Sequence, residues 1–425
     1  MSRADYKPRL VDHQVQDYLS ALGAVVIEGP KWCGKTWTSS QASRSEFLLG
    51  SSEGNFQNKR LAELSPETVL VGETPRMLDE WQEVPLLWDA VRAEVDKRNL
   101  KGQFILTGSS TPNRKGILHS GAGRIGRIRM RPMSLYESGS SSGAVSLQAI
   151  ISGGFSPVLN GEVHLLDLAA MVVRGGWPGN LSTPPETAGI VAKEYIKALL
   201  ENDIRRVNED SHLDVRKVHL LLRSLARNES TTSSIAVLKN DISGVDGENV
   251  DEDSLRNYMN VLSRLFLIDN QQPFAPAIRS SLRIKQSEKR HLADPSLACA
   301  LLNLTAQGLI NDLETFGFLF EALCVRDLRI YAEVFGAQLY HYQDYKNNEM
   351  DAVIEMPNEQ WCGIEIKLGA KQIENAAHNL LRINDAIIKA GGRGASCLLV
   401  VCGLSNAAYQ RPDGVFVVPI TMLKP

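Results

Sequence analysis

GPKWCGKT, Gly29 to Thr36, fits the pattern GxxxxGK[ST]. AVVIE, residues 24–28, reads as a short apolar strand before it, and a helical stretch runs on through Gln41. A strand, a glycine-rich loop and a helix in that order are the context in which the pattern cradles phosphate. Glycines let backbone N–H groups wrap phosphate oxygens, and the helix N-terminus adds a favourable dipole. Gly29, Pro30, Lys31, Trp32, Cys33, Gly34, Lys35, Thr36 and Trp37 are therefore the expected nucleotide contacts. Lys35 would reach the β- and γ-phosphates and Thr36 would ligate Mg²⁺, so ATP and magnesium are the expected cofactors.

Such a loop needs carboxylates at the end of a neighbouring strand. RMLDEWQ supplies them: Asp79 to hold the metal and Glu80 to polarise the attacking water. FILTGSS ends a further strand with Thr107, Ser109 and Ser110. Ser109 is the expected residue for holding that water or sensing the γ-phosphate, with a plain strand-end turn as the other reading. GRIGRIRMR carries Arg124, Arg127, Arg129 and Arg131. Arg124 reads either as an arginine finger acting on a neighbouring subunit, which would imply a homo-oligomer, or as part of a solvated edge strand protected by bases.

The chain has 425 residues, which suggests several domains. Strands alternating with helices in the first third imply an α/β layer with a mostly parallel sheet. ESGSSSGAVS, from Glu137, reads as the clearest flexible break. From about Leu165 to Asn270 the pattern is helical, and three short helices followed by an extended segment suggest a winged helix, the last helix capped by Ser254. A helix is expected over Leu313–Ala332, then the strands AQLYHYQDY, MDAVIEM, WCGIEIKLG and SCLLVVCG.

The formal net charge of −3 excludes a chain that is uniformly attractive to nucleic acid, so any such contact must be local. Arg256, Asn257 and Arg264 on the third helix could enter a groove, but Asp241, Asp246, Glu248, Asp251, Glu252 and Asp253 precede them and would repel phosphate. A DNA reader and a protein–protein spacer both fit that segment. Arg279, Arg283, Lys285, Lys289 and Arg290 form a better basic stretch. Six cysteines without a CxxC pair fit reduced thiols, and no apolar run reaches 18 residues. The expectation is a cytoplasmic protein with no membrane contact.

GPKWCGKT, LDEWQEVP, FILTGSS, AGRIGRIRMRPMSLYE, RGGWPG, HLADPSLACALL, FGFLFEALCVRDLR and EIKLG together resemble a prokaryotic family of AAA-type ATPases. The resemblance covers nearly the whole chain. It implies an α/β fold: an N-terminal P-loop AAA-type ATPase domain with a parallel sheet over 1–140, a helical and winged-helix region over 160–275, and an α/β PD-(D/E)xK nuclease-like domain over 300–425.

The last of these has its own motif. Asp351 in MDAVIEM and Glu365-x-Lys367 in GIEIKLG form a D…ExK pattern on successive strands, joined by the turn MPNEQ. Residues two apart on a strand share a face, so Glu365 and Lys367 point the same way. Glu321 lies on the preceding helix, a position from which the nuclease fold commonly contributes an acid. Clustered hard oxygens suit Mg²⁺ or Mn²⁺. Asp351 and Glu365 are the expected metal ligands, with Glu321 as a further acid and Lys367 to orient the nucleophile. The other readings are a surface ion pair, or a fold retained to bind DNA without cutting it.

Overall fold

β1, Ala24–Glu28, is buried over its first four residues, as a Val/Ile run flanked on both sides in a parallel sheet must be. In the computed structural model it pairs with β4 (Phe104–Gly108) and β5 (Ile125–Arg129). With β2 (Ser45–Leu48) and β3 (Arg76–Asp79), these make a five-stranded parallel sheet in the order β2-β3-β4-β1-β5. The structure describes residues 5–51, 57–111, 118–159, 161–204, 213–243, 250–276 and 286–425.

The strand period of two divides the apolar side chains between two cores. Ala24, Val26, Leu78 and Leu106 face one core with Trp81, Trp88 and Val91. Val25, Ile27, Ile105 and Ile128 face the other with Val15 and Leu19 of the helix Val11–Ala21. β4 lies between β1 and β3, so the carboxyl ends of all three open on one edge, where ligands of open α/β sheets bind.

This sheet belongs to a unit of residues 1–132, 201–213 and 260–267; residues 133–200, 214–259 and 268–425 form a second unit. Residues 133–140 thus group with the second unit, and the helical 160–275 stretch is divided between both.

In the second unit, β6 (Val145–Ser146) pairs with β15 (Leu423–Lys424). An eight-stranded mixed sheet runs β7-β13-β14-β12-β11-β10-β9-β8. These strands are β7 (Val158–Leu159), β8 (Gln272–Pro273), β9 (Gln338–Gln343), β10 (Glu349–Glu355), β11 (Trp361–Lys367), β12 (Cys397–Cys402), β13 (Ala407–Gln410) and β14 (Phe416–Pro419). The helix Ile373–Lys389 lays Ile373, Ala377, Leu380, Ile383 and Ile387 on Val353, Val400 and Val417. Those helix positions follow the 3.6-residue period of an amphipathic face.

Two local expectations change. The serine-rich stretch is not a flexible break: Ser141 is buried, its hydroxyl donates to the Leu423 carbonyl at 2.6 Å, and the Ser142 amide donates to Thr421 O at 2.8 Å. A serine run can satisfy a neighbouring strand's backbone as readily as it can make a linker. The third helix begins at Glu252, and Asp251, not Ser254, takes the capping position, accepting from the Ser254 amide at 2.8 Å. Three helices, Val215–Arg227, Ile235–Ser243 and Glu252–Arg264, do precede paired extended segments, with bridges Ile268–Leu292 and Gln271–Lys289. Asp246, Glu248, Arg279, Arg283 and Lys285 lie outside the described residues.

Several motifs of the resemblance meet in one buried knot of the second unit. Arg326 donates to Asp294 at 2.7 Å and to Asp327 at 2.7 and 2.9 Å. Asp294 accepts from the Gly176 amide, and Asp327 from the Leu135 amide at 2.8 Å. A Cβ on Gly176 would come 2.1 Å from the Met133 carbonyl, so RGGWPG needs its second glycine for close packing.

Candidate nucleotide site and carboxylate cluster

The loop after β1 turns back through backbone that few residues adopt. Trp32 has φ 71° and Gly34 has φ 105° at the N-cap of the helix Lys35–Ala42. A Cβ on Gly29 would lie 2.1 Å from the Met130 carbonyl, which fixes glycine there. Arg9 donates to the carbonyls of Cys33 at 2.7 Å and Arg131 at 2.9 Å, tying the loop to the chain after β5. Lys35 is buried, its Nζ donating to the Pro30 carbonyl at 2.9 Å. Lys31 is half exposed and pairs with Asp203 at 2.5 Å.

Asp79 ends β3 and faces the loop. It accepts from Thr36 Oγ1 at 2.9 Å and Thr107 Oγ1 at 2.5 Å. Burial raises its carboxyl above the ordinary range and nearby Glu80 adds to this, while the two hydroxyls oppose it. Glu80 sits in the left-handed region at φ 57°. For a non-glycine residue that costs of order 1–3 kcal/mol, and such strain clusters at functional sites. Its amide donates to Thr107 Oγ1 at 3.0 Å, Ser109 donates to its Oε2 at 2.8 Å, and Gln82 donates to the same oxygen.

The structure thus brings Thr36, Asp79, Glu80 and Ser109 together. Arg124 it does not. The Arg124 carbonyl accepts from the Ala24 amide, at the end of β1 remote from the loop, and the guanidinium pairs with Asp96 at 2.8 Å. The length of β1 separates Arg124 from the loop of its own chain, and the strand that follows it, β5, is at the edge of the sheet. Gln82 joins the site unforeseen, while Thr107, named with Ser109 in FILTGSS, bonds both Asp79 and the Glu80 amide.

In the second unit, β10 and β11 run antiparallel with Ala352 opposite Ile364, which sets Asp351 level with Glu365. Lys367 Nζ lies 3.0 Å from Asp351 Oδ2 and 2.5 Å from Glu365 Oε2. The Ile366 amide donates to Asp351 Oδ2 at 2.7 Å, and Asn379, from the helix over β11, donates to Glu365 Oε1 at 2.6 Å. Lys289, 2% exposed, adds a second cation. Its Nζ is 2.6 Å from Glu321 Oε1, 2.6 Å from Glu349 Oε1 and 3.7 Å from Asp351 Oδ1.

Four carboxyl groups therefore share two ammonium groups, with Glu321, Asp351, Glu365 and Lys289 buried and Glu349 and Lys367 partly exposed. Desolvation pushes Glu321 up to about 8 and Glu365 up to about 7, with Asp351 adding to both. Burial also works against Asp351, but Lys367 and Lys289 outweigh it and hold that carboxyl below its ordinary value. The four expected residues converge, but not as a metal shell. Lysine nitrogens stand between the acids, and among the described residues no group of three or more acids, histidines or cysteines is placed to hold a metal ion. The donor set does not fit a resident divalent metal. Glu349 was legible as the same-face neighbour two residues before Asp351; Lys289 and Asn379 come from elements whose docking has no sequence signal.

Among the described residues no helix is long and apolar enough to cross a membrane. Residues 165–308 match a domain of unknown function (DUF8612), and residues 316–423 match another (DUF4143). Uncharacterized proteins of Mycobacterium bovis and Mycobacterium tuberculosis are each 22% identical over 347 residues, covering 81% of this chain and 70% of the relative. A Walker-type ATPase of Pyrococcus abyssi aligns with TM-score 0.45 and 16% identity over 71% of this chain and 97% of its own, a likeness too loose to carry structural inference. Residues 22–139 match an AAA domain. The first unit carries a P-loop domain of the AAA type.

Proposed function

We propose that the chain is a magnesium-dependent ATP hydrolase whose second unit binds a partner, with hydrolysis as the switch. The observation that carries the reading is the convergence of Thr36, Asp79, Glu80 and Ser109 at the carboxyl edge of one sheet. The phosphates would lie over Gly29–Thr36, and the adjoining Trp37 completes the expected contact set. Lys35 would exchange the Pro30 carbonyl for the β- and γ-phosphates. Thr36 and Asp79 would hold Mg²⁺, which neutralises phosphate charge when bound. Glu80, fixed by Ser109 and Gln82, would accept a proton from water as that water attacks the γ-phosphorus. The bond to the β–γ bridging oxygen breaks, releasing ADP and phosphate. An arginine finger, if Arg124 serves as one, would have to act on a second copy of the chain.

The second unit reads as a PD-(D/E)xK-type fold over 300–425, following a winged-helix region within 160–275. The order helix, β10, β11 with Glu321, Asp351, Glu365 and Lys367 in one cluster supports this. The cluster's lysine pairing favours holding DNA or a protein over cutting DNA. Convergence of the four residues favours the second reading, a nuclease. Six free, buried cysteines support a reducing cytoplasm.

ATP turnover in wild type and Lys35→Ala tests the first proposal; undiminished turnover in the variant removes it. Incubating plasmid and linear DNA with Mg²⁺ or Mn²⁺, with and without ATP, tests the second. Cleavage lost in Asp351→Ala would establish the nuclease.

A further inference from the structure

We propose that Lys289 is a built-in counter-cation that occupies the cation position of the second unit's carboxylate cluster and closes it to divalent metal. This deepens the reading of that cluster as a non-cleaving PD-(D/E)xK-type site and rests on it.

Lys289 Nζ faces carboxylate oxygens from two elements: Glu321 on the long helix Leu313–Val334, and Glu349 and Asp351 on β10. Its contacts of 2.6 Å with Glu321 and Glu349 are close ammonium–carboxylate ion pairs. Mg²⁺ demands about 2.0–2.1 Å and a near-octahedral shell, so an ion bound here would have to expel the ammonium.

The lysine is poorly placed to leave. Its backbone is clamped to Gln271 in both directions, amide to carbonyl at 3.0 Å and carbonyl from amide at 2.9 Å. The next two residues are fixed as well. The Arg290 amide donates to Thr231 O at 2.7 Å, and His291 is buried between Glu229 and Gln271. Withdrawing a side chain that is 2% exposed would leave the buried Glu321 without its cationic neighbour and Asp351 with Lys367 alone.

The remaining oxygens are also engaged. Asp351 Oδ2 accepts from Lys367 and the Ile366 amide, Glu365 Oε2 faces Lys367, and Glu365 Oε1 accepts from Asn379. Each oxygen of the two expected metal ligands thus already faces a nitrogen donor. Two ammonium groups do in this cluster what a divalent ion would do electrostatically, and they lack the open coordination position that metal-assisted hydrolysis requires.

The test is Mn²⁺ titration of nucleotide-free, full-length protein, read by loss of the free-ion paramagnetic signal. Wild type should take up no Mn²⁺ that depends on Asp351. Lys289→Met, which keeps length and removes charge, should gain one site, binding at least about tenfold tighter than any wild-type uptake. Adding Asp351→Asn to Lys289→Met should abolish it. A wild-type Mn²⁺ site lost in Asp351→Asn but kept in Asp79→Asn would overturn the proposal. So would a Lys289→Met protein that unfolds cooperatively yet gains no site. If Lys289→Met does not fold, the wild-type comparison decides alone. ATP turnover is no part of the readout, so absent ATPase activity would leave this result standing.

Discussion

Thr36 and Asp79 lie 43 residues apart in sequence, yet the Thr36 hydroxyl donates to Asp79 Oδ1 at 2.9 Å. The sheet order makes the contact: β4 between β1 and β3 brings the loop after β1 and the end of β3 to one edge. A hydroxyl and a carboxylate from separate elements face the space where nucleotide phosphates would sit.

Asp79→Asn follows from that contact. Burial raises the Asp79 pKa, so the folded state holds this carboxylate at a cost. Removing the charge should raise the thermal midpoint slightly at neutral pH while magnesium-dependent turnover falls by about 100-fold or more. Thermal unfolding and steady-state hydrolysis on the same preparation check the pair of effects; a variant both less stable and fully active would contradict it.

Glu80→Gln should keep nucleotide affinity and lose turnover, because only the proton acceptor is removed. Ser109→Ala frees the Glu80 carboxylate from one of its donors and should lower kcat more modestly, by about 10-fold, with little change in KM. Filter binding of labelled ATP beside kcat measurement separates the two variants. A large loss of affinity in Glu80→Gln would place that residue in binding instead of catalysis.

The carboxylate cluster predicts how stability depends on pH. Glu321 is pushed up to about 8 in the folded chain, against about 4.3 when unfolded. The folded state therefore holds more protons between those values, and stability falls as pH rises through that window. Glu365, pushed up to about 7, acts in the same direction. Urea unfolding should show a loss on the order of 1–3 kcal/mol from pH 6 to pH 9. Glu321→Gln should flatten the profile; an equally steep profile in that variant would show that other groups carry it.

Arg326 bridges two buried carboxylates, 2.7 Å from Asp294 and 2.7 Å from Asp327. Arg326→Met would leave two buried carboxylates and cost about 3–5 kcal/mol. Chemical denaturation checks this. The deficit should shrink in acid, because burial already raises Asp327 and loss of the guanidinium raises it further.

Local chemistry was readable before the fold. The eight residues from Gly29 contain their own context, a strand before and a helix after, and β10, β11 and the long helix each show a clear period. Asp351 and Glu365 were therefore placed on adjacent strands. Docking between distant segments was not readable. Lys289 enters its cluster through a bridge with Gln271, and Asn379 arrives on a helix whose position depends on packing over the sheet. Arg124 precedes β5 at the sheet edge, and strand alternation fixes a side chain's face but not which end of the sheet it occupies. The serine-rich stretch misled because composition cannot tell a linker from a segment whose hydroxyls bond a distant strand.

The most direct measurement is magnesium-dependent ATP hydrolysis by wild-type protein beside Lys35→Ala, with magnesium omitted as a control. The account predicts turnover in wild type that falls to background in the variant and without magnesium. Equal phosphate release from wild type and Lys35→Ala would contradict it.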